Sequence, residues 1–141
     1  MNKRHWYLQI ALVIVGLAFL LIYPLMQLWA SGWAWQPVQH EDQLMIAGVY
    51  ATLGVFLLIA SRKPEENLSL IWFTVWSSII HALIMAMQVA IDPTEARHLV
   101  GDIPALILVA LVLGLLTPRK VSITLSEPIM NQLDFLLSWF L

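Results

Sequence analysis

Residues 68–91 read LSLIWFTVWSSIIHALIMAMQVAI, a run without a single Asp, Glu, Lys or Arg. A helix crosses a hydrocarbon core in roughly 20 predominantly apolar residues, so this run is long enough to span a membrane. Lipid offers no partner for an unpaired backbone N–H or C=O, and a spanning segment of this kind must therefore be helical. Working outward, three further apolar stretches occupy about 7–30, 44–60 and 103–117. The expected fold is all-α: a polytopic membrane protein built as a four-transmembrane-helix bundle over residues 1–117.

Composition agrees. The chain of 141 residues is 60% hydrophobic and 11% charged, whereas soluble domains carry roughly 25% charged residues. Of its seven lysines and arginines, all but Arg97 lie before the first span, between the second and third, or after the fourth: Lys3, Arg4, Arg62, Lys63, Arg119 and Lys120. Because cytoplasmic loops retain Lys and Arg, the pattern predicts both termini in the cytoplasm. Glu41, Asp42, Asp92, Glu95 and Asp102 make the opposite face acidic. The first apolar run exceeds the roughly 7–15 residues of a cleavable signal, so it is expected to be retained. The chain has no cysteine and a formal net charge of −2, which leaves no thiol chemistry and no basic patch for nucleic acid.

Within the first span, Pro24 predicts a kink, and Trp29, Trp33 and Trp35 suit the headgroup level. The short loop from Arg62 to Asn67 predicts a tight antiparallel hairpin of spans two and three. Beyond the bundle, residues 118–141 are expected to form a cytoplasmic tail. There Ser126-Glu127-Pro128 starts a short amphipathic helix with Ile129, Leu133, Leu136, Leu137 and Phe140 on one face. Its first reading is a helix in the membrane interface; its second is a docking helix for a partner.

At 100° per residue, Asn67, Thr74, Ser77, Ser78, His81, Met85 and Gln88 share one face of span three, opposite Trp72, Trp76, Ile80, Leu83 and Met87. Polar groups in the hydrocarbon turn toward protein or water, so the stripe faces the interior. Gln43, Ala47, Tyr50, Gly54 and Ser61 form a matching face on span two, with small residues that admit a close neighbour. Counting ~1.5 Å per residue puts Tyr50 about 10 Å and His81 about 15 Å below their helix ends, which permits a hydrogen bond between them. The candidate ligand-binding residues are Tyr50, Ser77, Ser78, His81, Met85 and Gln88.

His81 reads first as a neutral imidazole bonded to a neighbouring helix, then as a proton-handling or ligand-contacting group, and last as a metal or haem ligand. No resident cofactor is expected. Copper would draw on His81 and Met85, haem would need a second histidine at similar depth, and a quinone would need the pocket. For metal the candidates are His98, Asp102 and His40 at the acidic mouth. There the four-residue spacing of His98 and Asp102 competes with Asp102 as the helix N-cap, which would leave His98 outside the helix. Ser77 and Ser78 near His81 lack an orienting acid and oxyanion donors, and no familiar catalytic motif is present.

The segments Trp76-Ser77-Ser78-Ile79-Ile80-His81-Ala82 and His98-Leu99-Val100-Gly101-Asp102-Ile103-Pro104, with His40 to Leu58, resemble a family of small bacterial four-helix integral membrane proteins of unknown function. The resemblance covers most of residues 35–117 and implies the bacterial cytoplasmic membrane but no activity. Three functions follow in order. The first is a non-catalytic accessory or self-associating subunit, partnered by lipid and by other membrane subunits or itself. The second is a binding protein for a small or lipid-like ligand around Tyr50, His81 and Gln88, and the third a membrane metal site or enzyme. A transporter ranks below all three, because neither an inverted repeat nor paired broken helices are visible.

Overall fold

The computed structural model describes residues 3–28 and 40–118. The tail, with Arg119, Lys120 and the amphipathic stretch, lies outside the described residues, as do Trp29, Trp33 and Trp35. Among the described residues five α-helices follow in order: α1 (Lys3–Leu20), α2 (Ile22–Leu28), α3 (His40–Ala60), α4 (Leu68–Ile91) and α5 (Asp102–Leu116). A 3₁₀ turn, Pro64–Glu66, joins α3 to α4, and a 3₁₀ segment, Pro93–Leu99, leads into α5. Three stretches, Glu41–Ala60, Leu68–Ile91 and Pro93–Leu116, are long and apolar enough to cross a membrane. A fourth is added if α1 and α2 count as one bent span.

That bend is 65° and falls at Leu21. Pro24 accounts for it: proline has no N–H to give the Leu20 carbonyl, and its ring crowds the same oxygen. The kink expected in span one is thus a break. Span two begins earlier than expected, at His40, where Glu41 and Asp42 occupy the first turn of α3 and complement the positive end of its dipole. Span four is lengthened upstream by the 3₁₀ segment, and Gly101 rather than Asp102 takes the position before α5.

The helices pair as α1 with α3 and α4 with α5, and α1 also packs on α5. The predicted hairpin is corrected here: α3 and α4 are joined by a short loop yet touch only slightly. Glycine decides the matter. A Cβ on Gly54 would lie 2.6 Å from the Gly16 carbonyl oxygen and 2.7 Å from the Leu20 nitrogen. Backbone thus meets backbone at the α1–α3 crossing, a contact that only small residues allow.

The main core lies toward the end carrying Lys3, Arg4, Arg62 and Lys63, called the basic end below. Leu12, Leu57, Ile71 and Leu113 are fully buried there, one from each of α1, α3, α4 and α5. Arg4 clasps the same end, donating to the carbonyl oxygens of Leu115, Leu116 and Thr117, each at 3.0 Å. These are the carbonyls a helix C-terminus leaves over, and a cation suits that end of the dipole. His5 Nε2 lies 2.8 Å from Glu65 Oε2. The Glu65 carboxyl is held below its ordinary range by a backbone N–H first and by His5 second.

Away from the axis the surface is apolar. Val49, Phe73, Trp76, Leu108 and Leu115 are exposed, and only 28% to 33% of each spanning stretch is buried. In water so continuous an apolar surface would drive association, whereas in a bilayer it is the surface required. Along α4 the expected division holds in part: Thr74, Ser78 and Met85 are buried and Trp76, Ile80, Leu83 and Met87 exposed, but Gln88, expected inside, is exposed, and Trp72, expected outside, packs against the core.

Candidate ligand-binding site

In the opposite, acidic half the helices do not close on one another. A cavity of about 140 Å³ lies at the α1–α2 bend, between Phe19, Ile22 and Met26 on one side and α3, α4 and α5 on the others. Most of its wall is apolar, and five polar side chains line it: Gln43, Tyr50, His81, His98 and Asp102.

Tyr50 and His81 form the polar bridge between the two helix pairs. The phenol oxygen of Tyr50 lies 2.8 Å from His81 Nδ1, and Phe19 packs edge-on against the Tyr50 ring, with centroids 4.8 Å apart. With the proton on Nε2, Nδ1 accepts the phenol O–H. The hydroxyls farther along α4 stay on their own helix. Thr74 donates to the Leu70 carbonyl at 2.9 Å and Ser77 to the Thr74 carbonyl at 3.2 Å. Such local bonding satisfies a hydroxyl without engaging a neighbour.

The mouth holds a second cluster. His98 is 2% exposed; its Nδ1 lies 2.9 Å from Asp102 Oδ2 and its Nε2 3.0 Å from Glu95 Oε2. The Nδ1 contact is a hydrogen bond, and the Nε2 contact brings a second carboxylate oxygen within ion-pair distance of the ring. The groups run from Glu95 near the surface, through buried His98, to Asp102 on the cavity wall, a sequence along which a proton can be handed. Just before the 3₁₀ segment, the Asp92 carboxyl accepts from the Thr94 hydroxyl at 2.6 Å and from its N–H at 3.0 Å, and both bonds hold it below its usual range.

Two side-chain atoms of residues that line the cavity, Gln43 Nε2 and Asp102 Oδ1, are buried without a hydrogen-bond partner among the described residues, and each has almost no accessible surface. Gln43 is 5% exposed and Asp102 9%. The Ile103 backbone N–H approaches the Asp102 carboxylate, yet Oδ1 stays unsatisfied. A buried donor and a buried acceptor left in this way each cost free energy.

Of the residues predicted from sequence, Tyr50, His81 and Met85 line the cavity. Ser77 and Ser78 are not among its lining residues, and Gln88, three residues before the end of α4, is exposed. His98 and Asp102 come together as their spacing suggested, although His98 sits in the 3₁₀ segment and Asp102 opens α5. The side chain of His40 lies outside the described residues. Among the described residues no three potential ligands are grouped to hold a metal ion; Glu95 and Asp102 face opposite edges of the His98 ring rather than a common point. Sequence reasoning placed Gln43 on the right face of span two without making it a site residue, and it passed over Glu95.

Over the described residues, fold and site together define an all-helical protein whose apolar helices, long enough to span a membrane, line a partly open cavity with a few polar side chains among its lining residues. The chain belongs to a family of unknown function, DUF6632, whose model matches residues 3–134. No curated protein and no solved structure matches it.

Proposed function

We propose that this chain is a four-span integral membrane protein of the bacterial cytoplasmic membrane, with both termini cytoplasmic, that binds a small, largely apolar ligand in the cavity of its acidic half. The observation that carries the binding reading is the cavity itself, apolar over nearly all of its wall, with Gln43, Tyr50, His81 and Asp102 among its lining residues. Ligand sites commonly combine these features. Support for the topology comes from Lys3, Arg4, Arg62 and Lys63 at one end and the acidic residues at the other. Because the chain has no cysteine, single Glu66→Cys and Thr94→Cys variants test it directly. A membrane-impermeant thiol reagent added outside the cell should label the second and not the first.

The binding test is native mass spectrometry on protein extracted gently from its own membrane. One small molecule per chain should be retained, and lost when Ala105→Phe fills the cavity in a protein that still folds. Recovery of the chain in fixed ratio with other proteins, or with itself, and without a small molecule would favour the accessory or self-associating subunit instead.

A further inference from the structure

We infer that the occupant of the cavity is the end of a phospholipid acyl chain, entering sideways from the bilayer between α2 and α5 while the headgroup stays outside. This rests on the membrane and ligand-binding readings above and adds the class of the ligand and its route. His81, Met85, Ala105 and Val109 line the cavity, and all lie six or more residues, about 9 Å at ~1.5 Å each, inside the ends of the spanning stretches Leu68–Ile91 and Pro93–Leu116. At that depth the surrounding solvent is hydrocarbon. On the lipid-facing side α2 packs on α3 but makes no more than slight contact with α5, so the bend at Leu21 leaves a lateral gap. Ala18 and Leu25, which line the cavity from α1 and α2, are exposed, whereas Met26, Met85 and Leu106 are buried.

The wall decides what enters. The accessible surface of the cavity is almost wholly apolar. Tyr50 is bonded to His81 and Asp102 to His98, and little polar surface is left to hold a headgroup. Water gains little either, since an engineered apolar cavity of ~150 Å³ stays dry yet takes benzene. At about 140 Å³ this cavity has room for about six carbons by the same measure. A phospholipid is far larger, so only a chain end fits and the rest of the molecule lies in the bilayer. Acyl chains are also the medium around the opening, and a chain end in the void restores dispersion contacts that its lining otherwise lacks.

The test uses the full chain in vesicles of dioleoylphosphatidylcholine doped with a phosphatidylcholine that carries a diazirine at the end of one acyl chain, photolysed and mapped by mass spectrometry. Lipid labels any lipid-facing residue, so the readout is buried Met26, Met85 and Leu106 against exposed Val49 and Phe73. The chain-end probe should label both sets, and a diazirine beside the headgroup should spare the buried three. Ala105→Phe, or the smaller Ala105→Leu if the first does not fold, should lose the interior labelling and keep that of Val49 and Phe73. No interior labelling by the chain-end probe, or interior labelling that survives the filled cavity, would overturn the acyl-chain assignment. So would interior labelling by a free fatty acid with the same chain-end diazirine but not by the phospholipid. A free phenyldiazirine in the same vesicles separates this failure from that of the binding reading. If it labels the buried three where the lipid does not, the cavity takes a small free molecule and the binding reading stands. If neither reaches them, both readings fall.

Discussion

The two ends of the bundle solve opposite problems. At the basic end Leu12, Leu57, Ile71 and Leu113 meet with no exposed surface, and Arg4 caps α5. Its orphan polar atom among the described residues is Thr117 Oγ1. At the acidic end the helices part around a cavity, and Gln43 Nε2 and Asp102 Oδ1, of residues that line it, are buried without a partner among the described residues. Packing is complete where the chain needs only to hold together and incomplete where polar groups gather. A closed end that fixes the helix positions leaves an open end able to keep its shape with little inside it.

Several substitutions would break or sharpen this contrast. The largest effect is expected from Gly54→Val, whose side chain would occupy the space of the α1 backbone. It should cost more than about 3 kcal/mol or abolish folding, read as thermal unfolding in detergent, whereas Gly48→Ala, with nothing within 4 Å of its Cβ, should leave the midpoint unchanged. Next, Leu57→Ala should lose about 2–5 kcal/mol by opening a void in the closed half. Leu106→Ala, beside the existing cavity, should lose less than half as much. Equal losses would mean that the halves are equally well packed.

Arg4→Ala should cost about 1 kcal/mol, because its hydrogen bonds are charge-assisted but partly exposed. A double-mutant cycle between Tyr50→Phe and His81→Ala should give a coupling near ~0.6 kcal/mol, the average for hydrogen bonds between membrane helices. The smallest effect concerns Glu65. Its carboxyl is lowered from the ordinary value of 4.5, so its contribution is complete above that value and is lost as pH falls through the lowered one. His5→Ala should therefore make the acid-side loss of stability shallower, seen by comparing midpoints at neutral and acid pH.

The interior stripe was legible because a helix turns a fixed angle per residue and the polar positions of α4 repeat at that angle. Depth counting alone brought Tyr50 opposite His81. Helix pairing was harder to read: Gly16 and Gly54 mark faces capable of close approach, but a glycine does not name its partner. The short Arg62–Asn67 loop pointed to α3 and α4, and the backbone contact at the glycines drew α3 to α1 instead. The Glu95–His98–Asp102 cluster was half legible. Its i, i+4 member showed in the spacing, while its i, i+3 member depends on a 3₁₀ segment that helix periodicity did not foresee.

Arg4 and its carbonyl partners are separated by 111 to 113 residues. During synthesis the arginine emerges more than a hundred residues before the oxygens it holds, which are made only when α5 is finished. The clasp at the basic end is therefore a late event of assembly. Its closure ties α1 to the end of α5, joining helices made far apart in the chain.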